Sequence, residues 1–165
     1  MRCHRLLLLV LTVATLANAA CYSGPSAPPK ARLDFTLKDM NDRDVKLSEF
    51  AGKPIVINFW ATWCAPCKAE TPMLVDLAAK YAPQGLTLIG ISTDDEAPAV
   101  RAFAEQFKVT YPMLVGLNRK DVLDEFGYTS LLPLSVFIRA DGSLADRLVG
   151  LSSEEVWERK IRALF

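Results

Sequence analysis

Apolar and polar positions change rhythm several times along this chain, and each rhythm predicts an element. Residues 34–38 alternate, with Phe35 and Leu37 set between polar neighbours, as in a half-buried strand. Asn41-Asp42 is a turn signal, and residues 44–47 can pair back as a short second strand. Ser48 with Glu49-Phe50 marks one capped helical turn. Ile55 to Trp60 is an unbroken apolar run rich in β-branched and aromatic residues, which predicts a strand buried on both faces. From Ala65 to Tyr81 the apolar residues Met73, Leu74, Leu77, Ala78 and Tyr81 recur every three or four positions, the period of a helix with one buried face. Pro72 lies inside that helix and removes a backbone donor there, so a kink is expected.

The second half continues the alternation of element types. Residues 86–92 form another fully apolar strand, and Asp94-Asp95 opens a helix carrying Val100, Phe103, Ala104 and Phe107 at helical spacing. Residues 111–115 predict a short strand and residues 121–126 a short helix stopped by Gly127. Leu134 to Ile138 and Leu144 to Val149 flank Ala140-Asp141-Gly142 as a β-hairpin. Ser152, with Glu155 three residues on, reads as the capping box of a last helix. The order is a hairpin, β-α-β-α-β-α, a second hairpin and a helix. It predicts an α/β domain with a mixed central sheet, parallel in its middle and flanked by helices.

Composition adds an address to this domain. The chain has 165 residues, enough for one domain with a sizeable core. Residues 1–20 place Arg2 and Arg5 before an apolar stretch and then Ala17, Ala19 and Ala20, the order of a secretory signal. Ala17-Asn18-Ala19 fits ordinary signal cleavage. Ala19-Ala20-Cys21 resembles the end of a bacterial lipobox, which makes Cys21 a lipidation candidate, although Asn18 stands where such boxes usually carry Leu. Residues 21–31 are rich in Pro, Ser and Gly and are expected to form a solvated tether ahead of a domain over 32–165. The 19 basic residues include Arg2 and Arg5; without them 17 remain against 19 acidic ones, a net of −2. Nothing in that balance points to nucleic acid, which needs clustered positive charge.

The candidate chemistry lies in Cys64 and Cys67, the two cysteines inside the domain. They stand where a buried strand gives way to a helix. The free N–H groups and partial positive charge of a helix start favour a thiolate on Cys64. Cys67 follows one turn later, within reach of a mixed disulfide formed on Cys64. A structural zinc site would need about four ligands. The only histidine is His4, in the signal, so no metal is expected. A purely structural bridge is the other reading, but so short a loop restrains the unfolded chain little.

The run Asn58-Phe59-Trp60-Ala61-Thr62-Trp63-Cys64-Ala65-Pro66-Cys67-Lys68-Ala69-Glu70-Thr71-Pro72 resembles the active-site segment of the TlpA/ResA-like family of exported, usually membrane-tethered thioredoxin-fold thiol reductases. The likeness extends from about Asp34 to the C-terminus and includes an N-terminal hairpin that thioredoxin lacks. It implies a thioredoxin fold and a thiol–disulfide oxidoreductase whose only redox group is the Cys64–Cys67 pair, with no separate cofactor. It also implies protein disulfide substrates, a membrane thiol as electron donor, a monomer, and cytochrome c maturation as one outlet. Glu70 matches the family's acidic residue three positions after the second cysteine and would accept a proton from Cys67. Asn58 stands where thioredoxin has a buried Asp, which leaves proton handling to Glu70. Pro133 matches the family's cis-proline opposite the cysteines, followed here by Leu134-Ser135 where many members have Thr. Trp63, Pro66 and Pro133 would touch substrate, while Trp60 belongs to the core. Two other classes of function stay open: a thiol peroxidase of peroxiredoxin type, against which the paired cysteines speak, and a copper-delivery module of the same fold. The latter uses three residues between its cysteines and a distant His, and the expected mature chain lacks both.

Overall fold

The computed structural model describes residues 28–165. The expectations for the signal, for Cys21 and for most of the tether fall outside these residues. The described chain runs β1 (Thr36–Asp39), β2 (Asp44–Lys46), β3 (Ile55–Trp60), α1 (Ala65–Tyr81), β4 (Thr87–Ser92), α2 (Ala97–Phe107), β5 (Met113–Val115), α3 (Lys120–Glu125), β6 (Leu134–Ile138), β7 (Leu144–Val149) and α4 (Glu154–Arg162). A 3-10 turn over Leu47–Phe50 follows β2.

All strands join one seven-stranded sheet in the order β2-β1-β5-β4-β3-β6-β7. The β3-β4 and β4-β5 pairs are parallel and every other pair is antiparallel. This is the mixed sheet expected from the element order, with the N-terminal hairpin docked through β1 onto β5. The parallel strands are the most apolar because helices cover both of their faces. All six residues of β3 are buried.

Side chains alternate across the sheet and build two cores. On one face Val56 and Trp60 of β3 and Phe137 of β6 pack with Leu74 and Leu77 of α1, Val100 and Phe103 of α2, and Trp157 and Ile161 of α4. On the other, Ile55, Ile57 and Phe59 of β3 meet Leu134, Val136 and Ile138 of β6, Val122 of α3, Phe126, and Leu37 and Leu47 from the N-terminal hairpin. Gly90 in β4 keeps the first face closed: a Cβ there would sit 2.5 Å from Met113 Sδ and 3.2 Å from Trp60 Nε1.

Three local expectations change. The tether drawn over 21–31 engages the domain from Pro29: its carbonyl accepts from Leu144 N, Ala31 N donates to Gly142 O, and Lys30 bridges Ser143. The backbone groups at the end of the β6–β7 hairpin turn need partners, and this segment supplies them. The last helix begins one residue later than expected, with Ser153 at its N-cap and no side-chain cap bond, so Ser152 does not cap it. Asp94 and Asp95 precede α2, and its N-cap is Glu96. Helix α1 runs through Pro72 without a break.

Candidate active site

Strand β3 ends at Trp60, and the chain turns through Ala61–Trp63 before α1 begins. Cys64 N donates to Ala61 O at 3.1 Å, which closes that turn. Cys64 is the N-cap of α1 and Pro66 lies in the first turn, where a missing N–H costs nothing. Cys64 and Cys67 are joined as a disulfide. Cys67 N donates to Cys64 Sγ at 3.2 Å, so a backbone N–H of the helix start is already aimed at the first sulfur. In the reduced protein the same donor and the helix field favour charge on Cys64. Cys64 is 3 % exposed and Cys67 1 %, whereas Pro66 and Trp63 face solvent.

Glu70 lies one turn beyond Cys67 and is only 1 % exposed. Its Oε1 accepts from Asn58 Nδ2 at 2.9 Å, and Oε2 has no hydrogen-bond partner among the described residues. Burial pushes the Glu70 carboxyl up to about 7, partly offset by the Asn58 hydrogen bond. A carboxyl that titrates near neutrality beside a buried thiol can take up and release a proton at working pH. A cleft of about 490 Å³ is lined by Ala69, Glu70 and Met73 of α1 and by Leu151–Glu154.

Pro133 precedes β6, whose Leu134 pairs with Phe59, so the proline lies at the sheet end from which the cysteine turn departs. The Leu132–Pro133 bond is cis. Gly150 N donates to Pro133 O at 2.8 Å and ties the end of β7 to this loop. Trp60 is buried in the core against Phe103, with ring centroids 4.0 Å apart.

Sequence reasoning missed Asp95. It is buried, and its carboxylate accepts from Thr62 N at 2.8 Å, Thr62 Oγ1 at 2.5 Å and Ser92 Oγ at 2.6 Å. Asp95 therefore pins the turn two residues ahead of Cys64. Its neighbour Asp94 accepts from Trp63 Nε1 at 3.2 Å and holds the exposed indole. The pair Asp94-Asp95 imitates a helix start in sequence, and only the return of β4 alongside β3 brings it to the cysteine turn.

Known proteins share the sequence pattern and the fold of this chain. The sequence profile described as the AhpC/TSA family matches residues 29–147. The thiol-disulfide oxidoreductase ResA of Geobacillus thermodenitrificans is 32% identical over 156 residues, covering 91% of this chain and 85% of that protein. ResA of Bacillus subtilis is 30% identical over 159 residues, with the same coverage of both chains. Among solved structures, a secreted Mycobacterium tuberculosis disulfide oxidoreductase homologous to E. coli DsbE superposes with a TM-score of 0.71 at 26% identity, covering 80% of this chain and 97% of that one. With a seven-stranded mixed sheet and a Cys-x-x-Cys pair at the start of the helix after β3, the chain belongs to the AhpC/TSA family and, within it, to the ResA-like thiol–disulfide oxidoreductases of thioredoxin fold.

Proposed function

We propose that this oxidoreductase works outside the cytoplasm as a reductant of protein disulfides, with Cys64 as nucleophile, Cys67 as resolving thiol and Glu70 as the proton acceptor. The Cys64 thiolate attacks a substrate disulfide, forms a mixed disulfide and releases one substrate thiolate. Cys67 then gives its proton to Glu70 and attacks Cys64 Sγ. The second substrate thiolate leaves, and the Cys64–Cys67 disulfide remains. Two electrons have passed to the substrate, and a membrane thiol carrier returns the pair to the dithiol. The reading rests on one observation: a cysteine pair at a helix start, one N–H directed at the first sulfur, and a buried carboxyl one turn beyond the second.

The substrate class follows from the surface around the pair. Trp63, Leu131, Val149 and Leu151 are more than half exposed. Trp63 adjoins Cys64, and the other three flank the Pro133 loop. Apolar groups displayed around a redox pair suit an extended, apolar polypeptide segment beside a substrate cysteine. Unfolded cytochrome c precursors are one such substrate, and their maturation is the outlet proposed here. Export is supported by the signal-like residues 1–20, and Cys21 is the proposed lipid anchor of a monomeric domain. Trapping with Cys67→Ser in intact cells tests this reading. The stalled intermediate should be a mixed disulfide on Cys64 with an exported protein, and the purified domain should have a potential nearer the −270 mV or so of thioredoxin than that of a strong oxidase. A potential above about −150 mV would overturn the reducing direction.

A further inference from the structure

Glu70 receives its one described hydrogen bond from Asn58, and Asn58 is itself held from a third element. Alternation along β3 puts Asn58 on the same face as Val56 and Trp60, inside an apolar layer. Directly opposite in the antiparallel ladder stands Ser135 of β6. Asn58 is 3 % exposed and Ser135 1 %. A carboxamide nitrogen carries two N–H donors, and both are used here. One goes to Glu70 Oε1 and the other to Ser135 Oγ, each at 2.9 Å. Rotating the amide by half a turn would set its carbonyl oxygen against the Glu70 carboxylate, acceptor against acceptor. An N–H left without an acceptor in this layer would carry a desolvation cost. The Ser135 oxygen removes that cost for the orientation in which an N–H faces Glu70.

We propose that Ser135 is a positioning residue of the dithiol site: its hydroxyl oxygen takes one N–H of Asn58 and so aims the other at Glu70. The proposal rests on the reading of Glu70 as proton acceptor for Cys67. Ser135 acts through Asn58 and needs no contact with either sulfur. The groups around Glu70 are Asn58 from β3, Tyr111 from the segment before β5, and Glu154 in the same cleft lining, with Cys67 one turn earlier on α1. Burial raises the Tyr111 phenol, and the Glu70 charge raises it further, so it stays protonated through the range in which Glu70 titrates. Of these groups, Asn58 donates the hydrogen bond that favours the ionised form of Glu70. Loss of its aim moves Glu70 toward the neutral acid.

The test uses the full-length, reduced protein in four forms: wild type, Ser135→Ala, Ser135→Thr and Glu70→Gln. Two quantities are followed against pH, the rate of disulfide exchange and the carbon-13 shift of the Glu70 carboxyl. Ser135→Ala should move the Glu70 midpoint up by about one unit, the weight of one hydrogen bond to a charged group. The rate profile should move with it, and Ser135→Thr, which restores the hydroxyl, should return both. If Ser135→Ala leaves both midpoints at the wild-type value while Glu70→Gln erases the inflection in rate, Ser135 does not position the site. If Glu70→Gln leaves the rate profile unchanged, the reading of Glu70 fails and the role of Ser135 falls with it.

Discussion

The two faces of the central sheet are built from the same strands and solve different problems. The face covered by α3 and by Phe35 and Leu47, which flank the N-terminal hairpin, takes Ile55, Ile57 and Phe59 from β3 and Leu134, Val136 and Ile138 from β6, with no polar side chain among them. The opposite face takes Val56, Asn58 and Trp60 from β3 and Ser135 and Phe137 from β6. There a polar pair interrupts the apolar layer at the level of Glu70. The first face can follow the hydrophobic rule without exception because nothing reacts against it. On the proposed role of Glu70, the second accepts buried polar groups because a titrating carboxyl serves the thiols. One strand, read at odd and even positions, thus separates stability from chemistry.

Substitutions on the two faces should therefore differ in kind as well as in size. Phe126→Ala empties a fully buried ring position packed on Phe35 and Phe59. It should cost about 3–5 kcal/mol in chemical unfolding and leave the pH profile of exchange unmoved. Glu70→Gln acts on the other face and in the opposite direction. The Glu70 carboxyl is raised from 4.5 to about 7 in the folded protein, so the folded state binds a proton that the unfolded state has released. Stability from this group is full below about pH 4.5 and is lost as the pH rises through about 7. The Gln variant should escape that loss and be more stable than wild type above pH 7, by on the order of 3 kcal/mol, while exchanging disulfides more slowly. Equal unfolding curves at pH 5 and pH 8 in the wild type would contradict this.

Asp95→Ala strips the acceptor from Thr62 N, Thr62 Oγ1 and Ser92 Oγ. A loss of about 2 kcal/mol is expected, together with slower attack by Cys64, and Asp95→Asn should recover part of both. The smallest effect on stability belongs to Trp63→Ala. That side chain is 63% exposed, so unfolding should shift by less than about 0.5 kcal/mol. KM for an apolar disulfide substrate should rise roughly fivefold, the ~1 kcal/mol of one docking contact.

The sheet was largely legible in the sequence, because buried strands and an amphipathic helix write their period directly. The ranges of β3, α1, β6 and β7 coincide with their apolar patterns. The cysteine pair was legible because strand, turn and helix start are consecutive in the chain. Asp95 was not. Ser92 is a local partner three residues away, but Thr62 stands in the turn after β3, 33 positions back, and only the β3-β4 pairing brings it to Asp95. Ser135 likewise acquires a role only through its register with Asn58, 77 positions away along the chain. The docking of Pro29–Ala31 onto the β6–β7 turn escaped for a different reason: a Pro-rich composition describes a tether well until a neighbouring strand offers it partners.

Everything assigned to the polar face depends on Cys64 exchanging with outside disulfides. The decisive measurement is the dithiothreitol-driven reduction of insulin by the purified protein, before and after selective alkylation of Cys64 in its reduced form. Alkylation should abolish the acceleration and leave the fold intact by circular dichroism. Undiminished turnover by the fully alkylated protein would mean that the chemistry resides elsewhere.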